Sequence, residues 1–295
     1  MKEISPSIKE HLSSLIFFGA LSLFVIYLAG RKGFFKFGKA FPKNPISLKK
    51  LLWVFGGYFL IAFLIAPFFV KLIILLAEDL TRRNLSNQIL WITLIQSISA
   101  LLTAMYLIFI FYKKLHREQA QLMWNASKSS PIKNLIFGMS IWCVSFPLVS
   151  FFYELADIFN IILFGREGPE QSAVIYLKMA LDSPLLFVIA LTSVIVAAPF
   201  IEEILFRGFL HGYLRSKVGV KATILLSSFI FSLFHFSMRQ EIGNLPLLLS
   251  LFIFALFLGF IYERQKTLWA CIGLHMMFNA ISVLRIFFID FSYMK

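Results

Sequence analysis

Long apolar runs separated by short polar clusters make up most of the chain, and their lengths predict helices rather than strands. A bilayer core of about 30 Å takes about 20 apolar residues rising 1.5 Å each. By that rule the sequence holds eight runs, approximately Leu12 to Gly30, Leu51 to Leu76, Ile89 to Tyr112, Leu135 to Phe152, Pro184 to Tyr213, Ala222 to Met238, Leu245 to Tyr262 and Leu268 to Ile289. The expected fold is an all-α membrane protein with about eight transmembrane helices. Between the fourth and fifth runs lies the longest polar stretch, and its apolar piece, Ile158 to Phe164, is too short to cross. It is expected to be a surface-lying or re-entrant helix. No internal repeat, low-complexity tract or linker divides the chain. One integral membrane unit is therefore expected, with N-terminal helices over 1–183 and a core over 184–295 that carries the intramembrane polar residues.

Composition removes the soluble alternative. Apolar residues make up 59% of the chain, charged residues 15%, and there are 36 phenylalanines. Soluble domains hold roughly 45 to 50% apolar residues. The net charge of +13 does not mark a nucleic-acid binder, because the basic residues sit in short clusters between apolar runs and form no continuous basic face. They act as topology signals instead. With the loop at 31–50 inside, the inner segments collect 18 of the 28 lysines and arginines and the outer segments 8. Lys71 and Arg285 fall within runs, and Lys71 is expected to snorkel to an interface. Lys2 and Lys9 precede the first run as in a signal peptide. The run is nevertheless long, lacks a small-residue cleavage pattern and is followed by Arg31 and Lys32, which reads as a retained span. Cys143 and Cys271 both lie in apolar runs and form neither a disulfide framework nor a redox pair.

A charge at bilayer depth costs on the order of 2.5 to 3.5 kcal/mol by insertion scales, so ionisable residues there are functional candidates. They concentrate in the last third of the chain. The fifth run carries Glu202, Glu203, Arg207 and His211, the sixth His235, and the eighth His275 and Asn279, four apart on one helical face. Glu203 and Arg207 stand at i and i+4, and with His211 they read as a structural stripe. Glu202 lies about 100° around the helix and has no arginine at i+4, so its carboxylate requires a partner on another helix or a proton. Counted inward from the basic ends, His275, Glu202 and His235 lie roughly 14, 18 and 21 Å deep, within one layer. That requires a fifth helix of some 30 residues, tilted or kinked, with Pro199 as the kink.

Glu202-Glu203-x-x-x-Arg207-Gly208, then Phe231-x-x-x-His235, then His275-x-x-x-Asn279, on successive apolar segments, resembles the CPBP family. This family comprises the CAAX prenyl proteases and the bacterial intramembrane glutamic endopeptidases. The resemblance covers about Pro184 to Ile289. It implies a metal-independent, cofactor-free endopeptidase in a prokaryotic plasma membrane, acting from the cytoplasmic side on a polypeptide that in some members is lipid-modified. Glu202 with His235 would activate water, His275 and Asn279 would hold the oxyanion, and Glu203 and Arg207 would position the catalytic helix. Three rivals share these residues. Glu202, His235 and His275 could supply a two-histidine, one-carboxylate metal site, although no H-E-x-x-H accompanies them. A proton-coupled transporter could use the same carboxylate, although no inverted repeat is seen. A catalytically silent immunity or partner-binding protein is the third, and it has no need of an intact set of four.

Overall fold

The computed structural model describes residues 6–37, 46–81, 87–126, 128–165, 168 and 172–289. All regular elements among them are helical. The first is α1 (Pro6–Arg31), and the second span joins α2 (Leu48–Leu60) to α3 (Ala66–Thr81) through a π-helical turn at Ile61–Ile65. Next come α4 (Gln88–Lys113), the short α5 (Arg117–Asn125), α6 (Pro131–Phe164) and α7 (Ser172–Ala180). A single 35-residue rod, Pro184–Val218, forms the fifth span. Within it α8 (Pro184–Thr192), α9 (Ala198–Glu203) and α10 (His211–Val218) alternate with π segments at Ser193–Ala197 and Ile204–Leu210. The chain closes with α11 (Val220–Leu233), α12 (Asn244–Gln265) and α13 (Leu268–Ile289). Seven helices among the described residues are long and apolar enough to cross a membrane, and the protein is a multi-pass integral membrane protein.

Two expected elements are corrected. The apolar piece Ile158 to Phe164 is neither surface-lying nor re-entrant: it forms the last two turns of the 34-residue α6. Glu154, Asp157 and Asn160 made this stretch look like loop, but they recur every third residue on a buried face, while Leu155, Phe159, Ile162 and Leu163 are exposed. A helix with its polar face inward and its apolar face outward suits lipid. His11 of α1 meets the acidic face, with Nδ1 2.7 Å from Glu154 and Nε2 3.8 Å from Asp157. Asn160 donates to the Ile242 carbonyl at 2.8 Å. The sixth run also ends early, because α11 stops at Leu233 instead of reaching Met238. Beyond it Asn244 accepts from the Ser237 amide and donates to the Ser237 carbonyl, so side-chain bonds replace the helical ladder there. Its 14 residues make it the one expected span that is short.

Packing centres on α6, which lies against α1, α12 and α13. Glycines set how closely α6 and α13 approach. A Cβ on Gly138 would come 1.9 Å from the Ala270 carbonyl oxygen, and one on Gly273 would come 2.1 Å from the Leu135 oxygen. Small residues at such a crossing bring two backbones into van der Waals contact, the main source of helix association in lipid. The buried core includes Phe206 and Phe209 of the fifth span, Phe231 of α11, and Phe254 and Leu258 of α12. Lys71 is exposed on α3. Both cysteines are free, Cys143 exposed and Cys271 buried.

Candidate active site

The fifth span is wound unusually where its carboxylates lie. In the π turn the Ala198 amide reaches back five residues to the Ser193 carbonyl. The next amide in that register would belong to residue 199, which is proline and has no N–H, so the Val194 carbonyl loses its intrahelical donor. Asn279 of α13 supplies one across the interface, Nδ2 donating to Val194 at 2.8 Å. The kink expected at Pro199 is therefore a widened turn capped from a neighbouring helix. π turns recur inside α-helices at functional sites because they re-aim the side chains that follow. Here two of them bracket the six residues that end in Glu202 and Glu203.

Glu203 is fully buried, and its Oε1 accepts from Arg207 Nη1 at 3.3 Å and from His275 Nδ1 at 2.8 Å. Arg207, also fully buried, donates from Nη2 to the Ala255 carbonyl at 3.3 Å and stacks its guanidinium 4.6 Å from the Phe231 ring centre. The expected Glu203–Arg207 pair is present, and His275 joins it. His211 does not extend that stripe. Its Nε2 lies 3.1 Å from Glu263, which also accepts from Arg215 Nε at 2.8 Å, and its Nδ1 lies 3.4 Å from the Ser227 hydroxyl. This second buried network ties α10 to α11 and α12.

Glu202 faces the other way. Its Oε2 lies 3.7 Å from His235 Nε2 and 3.9 Å from His275 Nε2, and it has no hydrogen-bond partner. His235 follows the end of α11, and its Nδ1 donates to the Phe231 carbonyl at 2.9 Å. A carbonyl only accepts, so in the neutral ring the Nε2 lone pair is the one turned toward Glu202. Glu202 and His235 are each partly exposed, whereas His275 is buried. Glu202, His235 and His275 thus converge on one carboxylate oxygen. Asn279, one turn beyond His275, is engaged at Val194. The backbone at Phe234–Ser237 is non-helical; within a bilayer such backbone is tolerated where it is buried in protein or lines an aqueous cavity. Among the described residues no group of three or more His, Cys, Asp or Glu is arranged to hold a metal ion.

Two neighbours of the site carry no sequence signal. An apolar cavity of about 540 Å³ runs along α4 and α9, lined by Leu107, Phe111, Trp124, Phe200, Ile201 and Ile204. Tyr58 of α2 packs on Phe234, the neighbour of His235, at a ring-centre distance of 6.1 Å. A tyrosine within an apolar run reads as core, so nothing in the sequence singles it out.

Residues 184–281 match the family model described as Type II CAAX prenyl endopeptidase Rce1-like. A Bacillus subtilis (strain 168) protein named "Putative membrane peptidase YdiL" is 29% identical over 152 residues, which cover 50% of this chain and 57% of that protein. The match thus spans little more than half of the relative's length. No solved structure matches.

Proposed function

We propose, from the match of residues 184–281 to the Rce1-like CAAX endopeptidase model, that the chain is an intramembrane endopeptidase using Glu202 as its general base. The observation that carries this reading is the Glu202 Oε2 atom, buried, without a hydrogen-bond partner and set 3.7 and 3.9 Å from two imidazole Nε2 atoms. Polar contacts a little beyond 3.5 Å are the spacing that one bridging water fills. A water held by Glu202 and His235 gives a proton to the carboxylate as its oxygen attacks the scissile carbonyl carbon. The carbonyl π electrons move to oxygen, forming a tetrahedral oxyanion. Collapse re-forms the carbonyl and breaks the C–N bond, and the proton on Glu202 passes to the leaving amine. His275 donates from Nε2 to the oxyanion, which it does when the ring carries both protons, since Nδ1–H is held by Glu203. Asn279 contributes its second N–H, the first being held by Val194. Glu203 and Arg207 position the helix and the His275 ring. The substrate is a membrane-associated polypeptide entering from the cytoplasmic side. The cavity beside Phe200, Ile201 and Ile204 receives an apolar side chain or lipid modification of it.

Purified protein should cleave a reporter polypeptide in the presence of a strong chelator. Glu202→Gln, His235→Ala and His275→Ala should each leave less than about 1% of the rate, the scale of losing a base or oxyanion donor. Asn279→Ala should fall between these and wild type. Wild-type turnover in Glu202→Gln would reject the mechanism, and turnover lost to the chelator and restored by zinc would favour the metalloprotease.

A further inference from the structure

The N-terminal helices reach the neighbourhood of Glu202 and His235. α2 lies against the π segment Ile204–Leu210, and Phe55, Tyr58 and Phe59 surround Phe234, the neighbour of His235, at ring-centre distances of 6.2, 6.1 and 5.3 Å. α4 holds this part of α2 in place. The Tyr106 hydroxyl donates to the Trp53 carbonyl at 2.6 Å, and its ring covers Gly57, where a Cβ would come within 2.3 Å. Tyr58 follows Gly57 directly, and a π turn begins three residues later at Ile61. Its half-buried phenol has no hydrogen-bond partner among the described residues. Phe234, on which it packs, adjoins His235, whose Nε2 lies 3.7 Å from the unpartnered Glu202 oxygen.

Donor availability gives this placement its meaning. His235 uses Nδ1–H on Phe231, His275 uses Nδ1–H on Glu203, and Asn279 uses one N–H on Val194. That leaves the His275 Nε2 side and the second Asn279 N–H to face the substrate, and a phenol O–H free of other bonds adds a neutral donor to them. Directed at Glu202 it would weaken the base in the first step. Directed at the substrate carbonyl it acts where negative charge develops, and there a fixed donor speeds the reaction. We propose that Tyr58 is a further catalytic residue, donating its hydroxyl hydrogen bond to the scissile carbonyl oxygen as that oxygen becomes the oxyanion. The inference rests on the reading of Glu202 as general base. It also makes the N-terminal helices, outside the family match, part of the active site.

A tyrosine placed only for packing would be replaced by phenylalanine without loss, so Tyr58→Phe is the decisive variant. Full-length wild type, Tyr58→Phe and Glu202→Gln are compared on one reporter polypeptide, with kcat, KM and thermal unfolding read for each. Tyr58→Phe should lose roughly 10²-fold in kcat, with KM within about two-fold and an unchanged unfolding midpoint. Undiminished kcat overturns the proposal, as does a loss confined to KM or one accompanied by a lowered midpoint. The Glu202→Gln arm separates the two readings. If it is inactive while Tyr58→Phe is fully active, Tyr58 alone is wrong; if it is active, the general-base assignment fails first.

Discussion

Glu202 and Glu203 are neighbours in sequence, yet they occupy opposite environments. Glu203 is sealed between a guanidinium and an imidazole, whereas Glu202 opens toward the partly exposed His235. The i, i+4 pairing of Glu203 with Arg207 was legible in the sequence because it depends only on helical spacing. The third partner, His275, lies 72 residues away and follows from tertiary packing alone. The difference predicts separate failures for two isosteric changes. Glu203→Gln leaves the Arg207 charge uncompensated in a dry site, so it should lower stability by about 3 to 5 kcal/mol in a denaturation measurement. It also frees the His275 ring, so kcat should fall by about 10² or more even where the protein remains folded. Glu202→Gln should unfold like wild type while losing activity. Asn279 carries a related lesson. The family resemblance implied an oxyanion donor, and the structure employs it to cap the carbonyl left open by Pro199. That second duty was hidden because π winding cannot be read from an apolar pattern.

At the scale of elements, the sequence located most spans to within a few residues and failed where polarity was turned inside out. In α6 the acidic residues that looked like a solvent-facing loop face His11 of another helix. Hydropathy averages over all faces of a helix and cannot distinguish this from a true loop. The glycines of the α6–α13 crossing were equally silent, since a glycine in an apolar run reads as neutral. Their role is a close backbone approach that brings α13, and with it His275, against the rest of the bundle. Gly138→Ala cannot be absorbed by a side-chain shift, because the obstructing atom is the Ala270 carbonyl oxygen of the facing backbone. Forced separation of the helices should cost about 1 to 3 kcal/mol, with activity lost in proportion as His275 moves away from Glu202. A melting curve and a turnover rate on the same preparation would check it. Wild-type values for both would mean that the crossing is looser than these distances state.

Considered whole, the molecule packs helices from both halves of the chain around the segment that carries Glu202. The polar residues of the later spans marked this cluster in advance because charge is rare in apolar spans. On the N-terminal side, Tyr58 lies within an apolar run and gave no warning. One dimension of the assembly also reaches the surrounding lipid. At 1.5 Å per residue the 14 residues of α11 cover about 21 Å, well short of a bilayer core near 30 Å, and non-helical backbone follows at Phe234–Ser237. Acyl chains beside that shortfall must dip or tilt to meet it, at a fraction of a kcal/mol per Å. Vesicles of graded lipid length should therefore report it as a rate that falls as the tails lengthen. Membrane thickness then becomes a setting on the proposed activity, tuned by whatever lipids the cell lays down around it.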